Sequence, residues 1–185
     1  MEFHAATEAS LSAEMELVEE ICNDLGATRF EVGVGREERN RLWEGRHSLG
    51  EILFSVYPDS TYLITDVSVP ISNFPALAAY TNQLFADMDV KGALFGHAGD
   101  GSLHTVNFAP KDDPTEQQKL QAFNDHVVKR AIELDGTCTG EHGVGIGKKK
   151  YMVFEHGEGG VDAMRQIKQL FDPKNIFNPG KVIDF

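Results

Sequence analysis

The stretch Gly96-His97-Ala98-Gly99-Asp100-Gly101-Ser102-Leu103-His104 constrains the fold more than any other. A β-rich run from about Val90 into Phe95 enters it, and Leu103 to Phe108 leaves it with the same character. Two strands joined by so short a glycine-rich connection must pair antiparallel, because a parallel return needs a crossover. Elsewhere helical and β-rich segments alternate. The predicted class is therefore α+β, a ferredoxin-like antiparallel sheet with helices packed on it plus C-terminal helices, and not a doubly wound parallel sheet.

Periodicity supplies the other elements. Leu11, Met15, Val18, Cys22 and Leu25 form one stripe, which predicts a helix over 8–25 ended by Gly26, with Cys22 in the core. Residues 28–34 alternate polar and apolar and read as a half-buried strand, and Phe3-His4-Ala5 reads as the tail of another. A helix is expected over 36–52, then a strand closed by Pro70. Ser72 or Asn73 can cap the next helix, whose stripe is Leu77, Tyr80, Leu84, Phe85 and Met88. Asp113-Pro114-Thr115-Glu116 is a helix start, and Leu120, Phe123, Val127, Ala131 and Leu134 give that helix its buried face before Gly136. A last helix is expected over 160–171. Ile176 and Phe177 in the turn-rich tail imply that the tail docks.

The chain has 185 residues, enough for a single domain over 1–185 with an ordinary core. Its formal charge is -12, from 17 basic and 29 acidic residues, which argues against nucleic acid and gives little support to an anionic membrane surface. No run is apolar enough to span a bilayer, and no signal peptide opens the chain. Two cysteines make no disulfide framework, so a reducing, cytoplasmic setting is expected. The strand-like start suggests a chain that begins partway through a larger architecture.

The glycine stretch also carries chemistry. His97 and His104 flank a turn that breaks the strand, so both imidazoles can converge. Thr139-Gly140-Glu141-His142-Gly143 adds a carboxylate and a third imidazole. His97, His104 and Glu141 form the expected ligand set for a divalent metal; zinc, manganese and ferrous iron all suit two imidazoles and one carboxylate. His142 reads equally as a general base or as a supporting or surface imidazole. Asp100, between two glycines, reads as a turn residue and Cys138 as a small buried one. On pattern alone Arg46 is a surface arginine, and Lys148-Lys149-Lys150 a solvated face. Gly143-Val144-Gly145-Ile146-Gly147 lacks the spacing of a dinucleotide turn.

Several motifs together resemble a known family. The run 96–104 is similar to the G-H-x-G-D-G-N-x-H signature of flavin-linked 2-hydroxy-acid dehydrogenases. Gly136-Thr137-Cys138-Thr139-Gly140-Glu141-His142-Gly143-Val144-Gly145, Thr65-Asp66-Val67-Ser68-Val69-Pro70-Ile71-Ser72 and Asn178-Pro179-Gly180-Lys181-Val182 match it in order. The resemblance is to the cytochrome-accepting D-lactate dehydrogenase branch, near glycolate oxidase. It covers the C-terminal cap domain alone, without the N-terminal FAD-binding domain.

The resemblance implies a divalent metal on His97, His104 and Glu141, His142 as base, Arg46 as partner of the substrate carboxylate and Asn178 near the cofactor. It also implies FAD bound mainly by the other domain, a small 2-hydroxy acid as substrate and an electron acceptor that the sequence does not identify. The full-length protein would be cytoplasmic or peripheral to a membrane. A fragment with an exposed flavin-facing surface would associate into homo-oligomers. Ser102 stands where the signature has Asn. Val106 stands where the D-2-hydroxyglutarate branch has Asn, which weighs against a second substrate carboxylate. The competing readings are a stand-alone metal- or carboxylate-binding module and, last, a small metallohydrolase.

Overall fold

The computed structural model describes residues 2–185, which divide into two compact units, Met1–Val56 and Tyr57–Phe185. The first unit is helical. Helix α1 (Glu8–Asp24) starts at Thr7, which forms a capping box with Ser10. It ends at Gly26, where a φ of 83° lets the Ala27 N–H reach the Cys22 carbonyl. The expected helix over 36–52 is two helices, α2 (Gly35–His47) and α3 (Leu49–Val56). Ser48 steps out of helical register between them, with Gly45 and Gly50 weakening both flanks.

The strands expected at 3–5 and 28–34 do not form. Alternation makes a strand only where another strand offers its edge, and no described residue of this unit is in a strand. The Val34 N–H instead donates to the Glu38 carboxylate at 2.8 Å. None of the unit's described residues is fully buried, so Cys22 is half-buried and not in a core. Three helices of this size have too little interior to enclose one.

The second unit carries the sheet. Strands β1 (Ser60–Ser68), β2 (Lys91–His97) and β3 (Ser102–Pro110) lie in the order β1-β3-β2, both pairs antiparallel. Helix α4 (Phe74–Asp87) connects β1 to β2, and α5 (Pro114–Glu133) follows β3. This is the expected α+β class with an antiparallel sheet and packed helices. The order is the ferredoxin-like β-α-β-β-α-β, with the last strand reduced to a bridge between Ser68 and Thr137. The Asp113 carboxylate caps α5, accepting from the Thr115 and Glu116 N–H groups. Asn73 does not cap α4 by its side chain; its amide donates to the Leu134 carbonyl at 2.8 Å.

Alternation along the strands sorts the sheet's two faces. Thr65, Val67 and Leu103 point at the helices, and Thr65 Oγ1 donates to Asn124 on α5. The core on this side includes Val67, Leu77, Leu103, Phe123, Val127 and Val128, all fully buried. Asp66, His104 and Phe95, paired across the three strands, point to the opposite face.

The last helix, α6 (Met152–Phe171), begins earlier than its periodicity indicates. Gly157 at φ 69° kinks it and interrupts the pattern on which its start is read. The tail is fastened by polar contacts rather than by Ile176 and Phe177, which remain 65% exposed. The Asp172 carboxylate accepts both their N–H groups at 2.9 Å and pairs with Lys168. Val182 N–H reaches the Gly145 carbonyl, and Ile183 packs on the core.

Phe123 has no exposed surface and packs at a tilt on Phe85, ring centroids 4.7 Å apart, so Phe123→Ala leaves a cavity against α4. Urea unfolding is expected to show a loss of about 3–5 kcal/mol; a loss under about 1 kcal/mol would place Phe123 outside the core.

Candidate functional site

The β2–β3 hairpin brings the two histidines to one face. His97, the last residue of β2, pairs with Ser102, while His104 sits between Phe95 and Asp66. The turn is tight: Asp100 Oδ1 accepts the Ser102 N–H at 3.0 Å, and Gly101 holds a φ of 83° with an ideal Cβ only 1.9 Å from the Val69 carbonyl oxygen. No other residue type fits there. The imidazoles of His97 and His104 meet edge to face, 5.6 Å between centroids.

The second loop is wound around Asp66. One oxygen, Oδ2, accepts from the Gly140 N–H (2.9 Å), the His142 N–H (3.0 Å), Thr139 Oγ1 (3.1 Å) and Lys148 Nζ (2.9 Å). Oδ1 accepts the Glu141 N–H at 3.1 Å. Gly140 is needed because a Cβ there would lie 2.6 Å from Oδ1. Burial alone would raise the proton affinity of Asp66. The Lys148 hydrogen bond, the Glu141 and His142 N–H groups and the Lys148 charge outweigh it and hold the carboxyl below the usual range.

These contacts deliver the remaining donors. Glu141 Oε1 lies 3.2 Å from His104 Nε2, 3.7 Å from His97 Nε2 and 3.8 Å from His142 Nε2. The His142 ring stacks on His104 at 5.2 Å. His104 is 3% exposed, and neither ring nitrogen has a hydrogen-bond partner. Two sets of donor atoms lie within 4.8 Å of one another: His97, His104 and Glu141, and Asp66, His104 and His142. The second is chemically poor, because Asp66 already accepts five hydrogen bonds and faces an ammonium group. The first has two exposed side chains free to close on a cation and an orphaned buried nitrogen between them.

The sequence model of the family "FAD linked oxidases, C-terminal domain" matches residues 1–182. The chain belongs to that family. It is 35% identical over 184 residues to a probable mitochondrial D-lactate dehydrogenase of Danio rerio, covering 100% of this chain and 37% of the relative. It is 35% identical over 173 residues to glycolate oxidase subunit GlcD of Bacillus subtilis, covering 94% and 36%. It thus spans about a third of the length of these relatives. A 4-ethylphenol oxidase structure from Gulosibacter chungangensis matches 97% of this chain and 38% of its own, with a TM-score of 0.66 and 16% identity, a likeness of fold alone.

Within this FAD-linked oxidase domain, His97, His104, Glu141 and His142 come together as their motifs suggest. Arg46 lies in the first unit, exposed in the last turn of α2. Asn178 is an exposed turn residue at φ 45°, its carbonyl accepting the Lys181 N–H. Lys148 is a correction: it is only 15% exposed and pairs with Asp66, because the glycine-rich loop turns it inward. Lys149 is likewise largely covered, 19% exposed and paired with Asp184, and only Lys150 lies outside, pairing with Asp125.

Asp66 belongs to this site by its hydrogen bonds, and the sequence alone assigns it no role. The available signal was a lone carboxylate inside Thr61-Tyr62-Leu63-Ile64-Thr65-Asp66-Val67, a β-rich run where an unpaired charge is costly.

Cys138 is 1% exposed, and its N–H donates to Glu155 at 2.8 Å. Burial, then the Glu155 carboxylate, pushes the thiol up to about 12. Native alkylation at pH 8 is therefore expected to modify Cys22 only, with Cys138 reacting after unfolding; rapid native labelling of Cys138 would contradict its burial. Burial also lowers the proton affinity of His104, with Asp66 and Glu141 opposing in part. The unfolded chain then takes up a proton before the folded one does, as pH falls through the ordinary value of 6.5. Metal-free protein should lose stability as pH drops from 7.5 toward 5, and His104→Gln should flatten that slope in urea midpoints. An equal slope in the variant would assign it to other groups.

Proposed function

We propose that the chain is the substrate- and metal-binding cap of an FAD-dependent D-2-hydroxy-acid dehydrogenase of D-lactate type, which oxidises the hydroxy acid to a 2-oxo acid. The observation that carries this is the convergence of His97, His104 and Glu141 around a buried imidazole nitrogen with no partner. Family membership and the named relatives support the oxidoreductase class.

In this reading His97, His104 and Glu141 hold one divalent metal, zinc, manganese or ferrous iron. The metal, when bound, lowers the pKa of the substrate hydroxyl. FAD, bound mainly by a partner domain, supplies the hydride acceptor. His142 takes the hydroxyl proton at Nε2, the nitrogen turned toward Glu141. Arg46 engages the substrate carboxylate and fixes which face of the α-carbon is presented. Asn178 serves the cofactor side. Ile64, 39% exposed, lies on the site-bearing face of the sheet and would add apolar surface toward the FAD-binding domain. The same surface would let isolated copies associate. No helix among the described residues is long and apolar enough to cross a membrane. The two unpaired cysteines favour a reducing, cytoplasmic setting, with any membrane association peripheral.

Elemental analysis of the purified chain is expected to find about one divalent metal per chain, reduced at least tenfold in His97→Ala and Glu141→Gln. With a dye acceptor and D-lactate the chain by itself should give no turnover. Metal content unchanged in both variants would remove the ligand assignment. Clear turnover without a flavoprotein would remove the cap reading.

A further inference from the structure

Two carboxylates flank His104. Asp66 Oδ1 lies 3.4 Å from Nδ1, and Glu141 Oε1 lies 3.2 Å from Nε2. A neutral imidazole has one N–H and one lone pair, so the two sides cannot both receive a proton. The two acceptors differ in kind. Asp66 is 1% exposed, fixed by five hydrogen bonds and held anionic by Lys148, which also donates to the Asp66 carbonyl at 2.6 Å. Glu141 is 55% exposed, and its carboxylate forms no hydrogen bond among the described residues. Asp66 is fixed beside Nδ1 and cannot turn away, whereas the exposed Glu141 side chain can swing into solvent, so an N–H on Nδ1 keeps its acceptor and one on Nε2 need not.

We propose that Asp66 is the positioning residue of this site: it holds His104 as the Nδ1–H tautomer and, through the backbone N–H groups of Glu141 and His142, sets the second loop before any metal arrives. The consequence lies on the other side of the ring. With the proton on Nδ1, the Nε2 lone pair faces a carboxylate oxygen at 3.2 Å, and both are acceptors. A divalent cation between them would relieve that repulsion. Asp66 thereby leaves the Nε2 lone pair directed into the gap beside Glu141, where a cation would sit. Because Asp66 lies on β1, the donors on the hairpin and on the 139–142 loop share one anchor.

The metal part of this inference rests on the function proposed above, whereas the tautomer does not. Long-range proton–nitrogen NMR on the metal-free wild-type chain reads His104 directly. The Nδ1–H form is expected, and a dominant Nε2–H form would overturn the proposal. Co2+ titration followed by absorption then compares the wild type with Asp66→Asn, checked for folding by circular dichroism. The variant should bind about 10–100-fold more weakly, and equal affinity in a folded variant would also overturn it. If the wild type binds no Co2+, the metal assignment fails while the tautomer still decides the role of Asp66. If Asp66→Asn does not fold, the wild-type spectrum decides alone.

Discussion

The buried carboxylate of Asp66 is the contact on which the rest of this site depends. It lies in the middle of β1, yet three successive N–H groups of a loop more than 70 residues away end on it. Those N–H groups have no sheet or helix partner, and an anion inside a sheet has no water. Each cost is met by the other. Lys148 completes the arrangement by balancing the charge, so the buried carboxylate forms a salt bridge with satisfied lone pairs rather than an isolated ion. Chains built this way fail sharply when one partner is removed.

The fold exists around this contact in a particular sense. The β2–β3 hairpin supplies two imidazoles with a separation set by strand register. The 139–142 loop supplies a carboxylate and a third imidazole whose positions are set by hydrogen bonds to β1. Rigid elements thus place one half of the donor set, and a single side chain places the other. Glu155 adds a second tether by accepting the Cys138 N–H just upstream of the loop. The exposed ends of His97, Glu141 and His142 keep enough freedom to close on a ligand, whereas His104 does not.

Much of this was legible in the sequence, and the exceptions have physical causes. The hairpin with its His97–His104 pair and the α5 start follow from local rules: glycine turns, a proline at the first helical position, alternation; Glu141 joins them through a motif whose placement on β1 is long-range. The run 28–34 has the alternation of a strand but lacks a partner, which no single segment reveals. Ile176 and Phe177 looked like anchors because they are apolar, yet Asp172 fastens the tail through backbone groups that carry no sequence signature. Asp66 was readable only as a lone carboxylate in a β-rich run and Lys148 only as part of a solvated lysine run, because their partnership is a long-range contact across 82 residues.

In the proposed arrangement His97, His104 and Glu141 bind one divalent cation in a site that Asp66 organises without ligating. Anomalous diffraction from crystals grown with Co2+ locates the ion directly. A single peak is expected, bonded to His97, His104 Nε2 and Glu141, with Asp66 still hydrogen-bonded to the 140–142 backbone. A peak on Asp66 and His142 in place of His97 and Glu141, or none at a Co2+ concentration that saturates binding in solution, would contradict it.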